Sequence, residues 1–115
     1  MATIGTTAAA VEAAIVVNTN SDTEIREAVV SDLLSDVLVS GRQDFLLVTS
    51  LVSDQVIRSA ELVDARAVLF TNGKHPGDSL QNLAREADIA LLATPLRTFE
   101  AAGRLYELFG DEAAG

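Results

Sequence analysis

At 115 residues the chain has room for one domain, and a hydrophobic fraction of 49% excludes a disordered one. Aromatics make up only 4%, which leaves the core to Ala, Val, Leu and Ile. The formal charge is −9 and Lys74 is the only lysine, so the basic stripe that nucleic acid or an anionic membrane requires is missing. No run of about 18 apolar residues is present to span a membrane, and no basic residue precedes Ala8–Val17 to make it a secretory signal. With no cysteine, disulfides, thiolate metal sites and cysteine nucleophiles are excluded. These features fit a cytoplasmic protein; the acidity suits a halophilic source or an ordinary soluble acidic surface.

In chain order, Met1–Thr7 reads as a frayed end or weak first helix, and Ala8–Ala14 favours helix by propensity. Ile15-Val16-Val17 is a short buried-strand candidate, closed by the turn-like 18–22 segment. Glu24–Val30 suits an extended edge strand. Asp32–Val39 predicts a helix with Ser31 or Asp32 as N-cap, Leu33, Leu34, Val37 and Leu38 on its inner face, and Gly41 as its stop. Phe45–Val48 reads as a strand and Ser53–Val63 as a helix with Val56, Ile57, Ala60 and Val63 at helical spacing. Ala67–Phe70 is a strand and 72–77 a loop. Asp78 or Ser79 caps a helix carrying Leu80, Leu83, Ala84 and Ala87, and Ile89–Leu92 is a further strand. Thr94-Pro95 opens the last helix, with Leu96, Phe99, Gly103 and Tyr106 as its inner face.

Continuous apolar strands alternating with helices predict an α/β fold: a single three-layer domain with a central, largely parallel sheet and helices on both faces. It would span residues 1–115, with 1–10 and 111–115 as loose ends. Such sheets take ligands beyond the carboxyl ends of their strands. The polar residues there, Thr49, Ser50, Thr71, Asn72, Gly73 and Thr94, with the cations Lys74 and Arg97, are the candidate ligand-binding set.

No arrangement points to catalysis. His75, the only histidine, lies in a Gly/Pro loop without an evident orienting carboxylate or nucleophile. The 72–77 loop lacks the spacings of a phosphate loop, although Lys74 and the following helix N-terminus could contact an anion. Asp32 and Asp36, four apart, could share a proton or a metal, but aspartates at a helix start more often cap it or face water. Arg97, Glu100 and Arg104 form a surface ladder or grip an anion or a second subunit. No metal and no cofactor are expected.

Two segments carry a family resemblance. Val30-Ser31-Asp32-Leu33-Leu34-Ser35-Asp36-Val37 and Ala93-Thr94-Pro95-Leu96-Arg97-Thr98-Phe99-Glu100-Ala101-Ala102-Gly103-Arg104-Leu105 resemble the DRTGG domain family, and Val68-Leu69-Phe70-Thr71-Asn72-Gly73 between them also fits. The resemblance runs from Val11 to Phe109 and extends to the N-terminal domain of HPr kinase/phosphorylase. The name-giving motif is degraded: its Asp-Arg pair falls near Glu24-Ile25-Arg26 and its glycines near Ala28-Val29, so only Arg26 matches. The family's His-Pro after the central strand is replaced around Leu51-Val52-Ser53. Domains of this type occur inside CBS-domain pyrophosphatases and beside phosphate acetyltransferase domains, with catalysis in other domains. The resemblance therefore implies a non-catalytic regulatory or protein-interaction module. The alternative from the residues is a sensor of a nucleotide or another phosphorylated metabolite.

The expected partners are a second copy of the chain, another protein or an anionic small molecule. The 31–39 segment holds more apolar residues than one narrow face can hide. A homodimer is therefore expected through Leu34, Leu38 and Val39 or through the neighbouring extended segment.

Overall fold

A computed structural model describes residues 1–19, 23–39 and 41–113, with side chains described as far as Gly110. The elements are β1 (Ala2–Thr3), α1 (Ile4–Ala10), β2 (Ala14–Val17), β3 (Glu24–Ile25), β4 (Glu27–Val30), α2 (Leu34–Leu38), β5 (Phe45–Thr49), α3 (Asp54–Leu62), β6 (Ala67–Phe70), α4 (Asp78–Ala87), β7 (Ala90–Ala93) and α5 (Thr98–Ala113). A five-stranded sheet runs β2-β7-β6-β5-β4, and β1 pairs with β3 in a separate two-stranded sheet. β4 to β7 are parallel, and β2 is antiparallel to β7. The architecture is the expected α/β one.

Apolar layers lie on both faces of the sheet because side chains alternate along each strand. Leu46, Val48, Leu69 and Leu92 face α1 and α5, where Ile4, Ala8, Ala101, Leu105 and Phe109 close the layer. Phe45, Leu47, Val68, Phe70 and Leu91 face the other way, against Val37, Val56, Ile57, Ala60, Leu80 and Ala84 of α2, α3 and α4. The strand order from β4 to β7 is sequential, so right-handed crossovers put α2, α3 and α4 on one face. The strand order therefore does not reverse among the parallel strands, and no crevice opens there as it does at a topological switch point.

Several elements differ from the sequence reading. The first ten residues are not loose: β1 and α1 pack Ile4, Thr7 and Ala8 into the core, and Thr3 caps α1 by accepting from Thr6 N–H at 3.2 Å. The alanine run ends this helix at Ala10, because Ala14 already pairs with Ala93. β2 is an edge strand rather than a buried one, with only Val17 buried. The turn expected over 18–22 falls partly on residues 20–22, which lie outside the described residues. The extended 24–30 segment divides at Arg26, whose N–H donates to the Asp44 carbonyl.

α2 starts two residues late, at Leu34 after Leu33, since Ser31 and Asp32 bond elsewhere. Gly41 does adopt a left-handed φ of +67° beyond its end. α3 follows Ser53 as expected. α4 begins after Gly77, so Asp78 is its first residue instead of its cap. Pro95 lies in a bend, and α5 begins where Ala101 N–H reaches the Arg97 carbonyl at 3.0 Å. That later start turns the helix. Ala101, Leu105 and Phe109 point inward, while Phe99 at 91% and Tyr106 at 75% are exposed. Of the loose 111–115 tail, α5 takes in residues as far as Ala113, and 114–115 lie outside the described residues.

Candidate functional site at the carboxyl ends of the strands

The parallel strands end together, so the segments that leave them meet at one end of the sheet. From β4 comes Ser31-Asp32, from β5 Thr49-Ser50, from β6 Thr71-Asn72-Gly73-Lys74, and from β7 Thr94 with Arg97 just beyond. All eight candidate ligand residues are therefore neighbours at one rim.

Asp32 ties the first two strands. Its Oδ1 accepts from Thr49 Oγ1 at 2.7 Å and Ser50 N–H at 2.9 Å, and its Oδ2 accepts from Ser50 Oγ at 2.8 Å. The Thr49 hydroxyl, the Ser50 N–H and the Ser50 hydroxyl, in that order, hold the carboxyl below its ordinary range, with burial opposing. Asp32 is thus a fixed anion and a poor base, and the Ser50 hydroxyl beside it is not activated as a nucleophile. Asp32 and Asp36 do not share a helix, because Asp32 lies outside α2, and Asp32 does not cap α2 either. Among the described residues no cluster of His, Asp or Glu could hold a metal ion.

The central part of the rim is a tight turn. Asn72 at φ +60° and Gly73 at φ +71° sit between Thr71 and Lys74, whose N–H donates to the Thr71 carbonyl at 3.1 Å. Two successive positive φ values are what a type I′ turn demands, and Asn-Gly adopts them readily. The turn is strapped to the segment after β7: Asn72 N–H donates to the Leu96 carbonyl at 2.8 Å and Gly73 N–H to the Thr94 carbonyl at 3.0 Å. Thr71 and Thr98 share a hydroxyl hydrogen bond of 2.7 Å, and Asn72 Nδ2 donates to Thr98 Oγ1 at 3.2 Å. Thr94 donates to the Val11 carbonyl at 2.6 Å and accepts from Leu96 N–H at 3.1 Å.

Thr49, Thr71 and Thr94 are buried, and their hydroxyls are engaged within the protein. Thr98 was missed by the sequence reading, which started the last helix at Thr94-Pro95. No capping-box spacing marks it, because Glu100 follows Thr98 by two residues where the box needs three.

Beside the turn lies a hollow of about 230 Å³ lined by Ala14, Gly73, Lys74, His75, Ala93, Thr94 and Pro95. Lys74 and His75 are exposed in its lining, and Arg97, exposed too, is not part of that lining. The helix N-termini nearby carry their own anions, Asp36 on α2, Asp54 on α3 and Asp78 on α4. These occupy the positions where the helix dipoles would favour a ligand's negative charge. Arg104 pairs with Glu12 at 2.8 Å and reaches Glu100 at 3.5 Å, whereas the expected Arg97–Glu100 pair does not form. A larger hollow of about 690 Å³ sits at the opposite end of the strands, beside Gly41, Arg42, Asp44 and Arg66. It is lined by charges that already compensate one another, with Arg66 donating twice to Asp44 Oδ1 at 2.9 and 2.7 Å. Of the expected interface residues, Leu34 is half-buried beneath the sheet, while Leu38 and Val39 stand exposed, Val39 at 80%. Among the described residues no helix is long and apolar enough to cross a membrane.

No family model matches the chain, and no curated protein matches its sequence. Among solved structures it is similar to the CBS and DRTGG domains of the regulatory region of Clostridium perfringens pyrophosphatase, a structure complexed with the activator diadenosine tetraphosphate. The TM-score is 0.65 at 16% identity, over 90% of this chain and 45% of that one, so this chain spans about half the length of its neighbour. The fold is DRTGG-like, in agreement with the resemblance read from the sequence.

Proposed function

We propose that the chain is a non-catalytic regulatory module of the DRTGG type, which acts by contact with another chain or domain. The observation that carries this reading is the closed rim. At the place where an α/β sheet ordinarily presents reactive groups, the Thr49, Thr71 and Thr94 hydroxyls are buried and bonded to the protein itself. Asp32 is held ionised, and the helix N-termini carry aspartates. Its similarity to a regulatory region supports the same reading. Assays for phosphatase, kinase and general hydrolase activity on the purified protein should show no turnover above buffer. Turnover that disappears on one substitution at the rim would overturn the proposal.

A second reading is favoured by one specific feature, the small hollow at Gly73, Lys74 and His75. Its exposed Lys74 suits one phosphoryl group of a nucleotide or related metabolite. The solved neighbour holds a dinucleotide, but that belongs to a chain of which this one spans less than half. A thermal-shift screen decides between the two. A nucleotide binding only the folded state at 100 times its dissociation constant stabilises it by about 2.7 kcal/mol. A shift that Lys74→Ala removes supports the sensor; no shift with any nucleotide at millimolar concentration leaves the contact module.

A further inference from the structure

The two edges of the main sheet are built differently. At β2 the edge is broken by a register irregularity between Ile15 and Val17, the kind of bulge that blunts an edge against further pairing. β4 has no such break: Glu27-Ala28-Val29-Val30 holds regular register with β5 without proline, lysine or bulge, and its one charge, Glu27, is paired with Arg42 at 3.2 Å. Ser31 N–H reaches the Val48 carbonyl at 3.0 Å. By the alternation of a parallel ladder Val29 then also turns its backbone groups to β5, and those of Ala28 and Val30 face outward. Beside this edge α5 overhangs a groove of about 330 Å³ that includes Ala28, Val30, Ala102, Leu105, Tyr106 and Phe109. Val30 is 45% exposed, which is high for a valine in a sheet.

We propose that β4 pairs antiparallel with β4 of a second copy of this chain, joining the two five-stranded sheets into one. This goes beyond the regulatory reading and does not depend on it. The register follows from which groups are available. Arg26 N–H is taken by the Asp44 carbonyl at 2.7 Å, so only Ala28 and Val30 can exchange hydrogen bonds across the new edge. Pairing Ala28 of each copy with Val30 of the other uses all of these groups and puts the two-fold axis at Val29. Such an axis is perpendicular to the sheet, so both α5 helices lie on one face and the two grooves adjoin. Charge decides for a second copy over an unrelated strand. Arg42 near the amino end of β4 already pairs with Glu27 at 3.2 Å, which leaves Arg26, half-exposed and 4.0 Å from Asp44, as the cation before the strand, and Asp32 is the first anion beyond its carboxyl end. Antiparallel pairing about Val29 sets Arg26 opposite Asp32 of the second copy, twice, in molecules that otherwise repel at −9 each.

Sedimentation equilibrium of the full chain at micromolar concentration should give the dimer mass. Val30→Lys, a charge of the kind that guards natural edges, should give a monomer with an unchanged circular dichroism spectrum. Should that variant not fold, Arg26→Asp tests the same interface, because it sets like charges face to face; the dissociation constant should rise about tenfold or more. The chain has no cysteine, so Val29→Cys reports the register directly. Facing residues in a non-hydrogen-bonded antiparallel pair lie within disulfide reach, and oxidation should yield a covalent dimer. Glu61→Cys on α3 should not. A monomer mass without concentration dependence, or a dimer that ignores the edge variants and does not cross-link at position 29, overturns the proposal.

Discussion

Asp32 shows how one side chain can be assigned the wrong partner from sequence. It reads there as a helix N-cap, yet α2 is preceded by Leu33, and Thr49 and Ser50 offer Asp32 three donors from another strand. Removing it leaves the buried Thr49 hydroxyl without its acceptor, and Asp32→Ala should cost about 1–2 kcal/mol in a denaturant titration, at the lower end because the carboxylate faces solvent. The pH dependence has a definite sign. The folded-state pKa is depressed, so the contribution is complete above the ordinary carboxylate pKa and is lost as pH falls through the lowered value. The stability gap between wild type and Asp32→Ala should therefore close on acidification; a gap that widens would mean the carboxylate is not the group concerned. Gly73 is a second such position. At φ +71° with nothing near its missing side chain, Gly73→Ala should cost about 1 kcal/mol through backbone strain alone, read from the same titration.

At the scale of the element, α5 was recognised but its phase was not. Proline is favoured at a helix start, which led the reading to Thr94-Pro95. The Thr94 and Leu96 carbonyls are instead needed by the Asn72 and Gly73 N–H groups, and the helix waits until that strap is complete. Moving the start moves the inner face from Phe99 and Tyr106 to Ala101, Leu105 and Phe109. Two substitutions distinguish the phases. Leu105→Ala should lose about 2–4 kcal/mol in thermal or denaturant unfolding, and Phe99→Ala should stay within about 0.5 kcal/mol of wild type. Gly103 lies in the middle of α5, exposed, with no atom within 4 Å of an added methyl. Gly103→Ala should therefore stabilise by about 0.5–1 kcal/mol, the opposite of the same change at Gly73.

For the whole molecule the charge of −9 is the dominant long-range term. Its local ion pairs, such as Arg66 with Asp44 and Arg104 with Glu12, are partly exposed and individually weak. Screening the net repulsion should outweigh screening those pairs, so the melting temperature should rise as potassium chloride is raised from low to moderate concentration. A falling melting temperature would show that the pairs carry more than the net charge does.

The apolar strands β5, β6 and β7 and the helices α3 and α4 were legible from the chain alone, because burial on both sheet faces demands continuous hydrophobic runs and a covered helix demands its 3.6-residue spacing. The same runs implied a parallel sheet, and hence that the polar residues after the strands would share one end. What those residues do there was decided by tertiary structure. A threonine after a strand looks the same in sequence whether its hydroxyl meets a ligand or, as for Thr94, the carbonyl of Val11, 83 residues away. The edge position of β4 was legible as an extended edge strand over Glu24–Val30, whereas the packing of the first helix, the partner of Asp32 and the phase of α5 depend on groups distant in the chain. Local propensity carries no record of these groups, since a hydrogen bond goes to the nearest available partner in space.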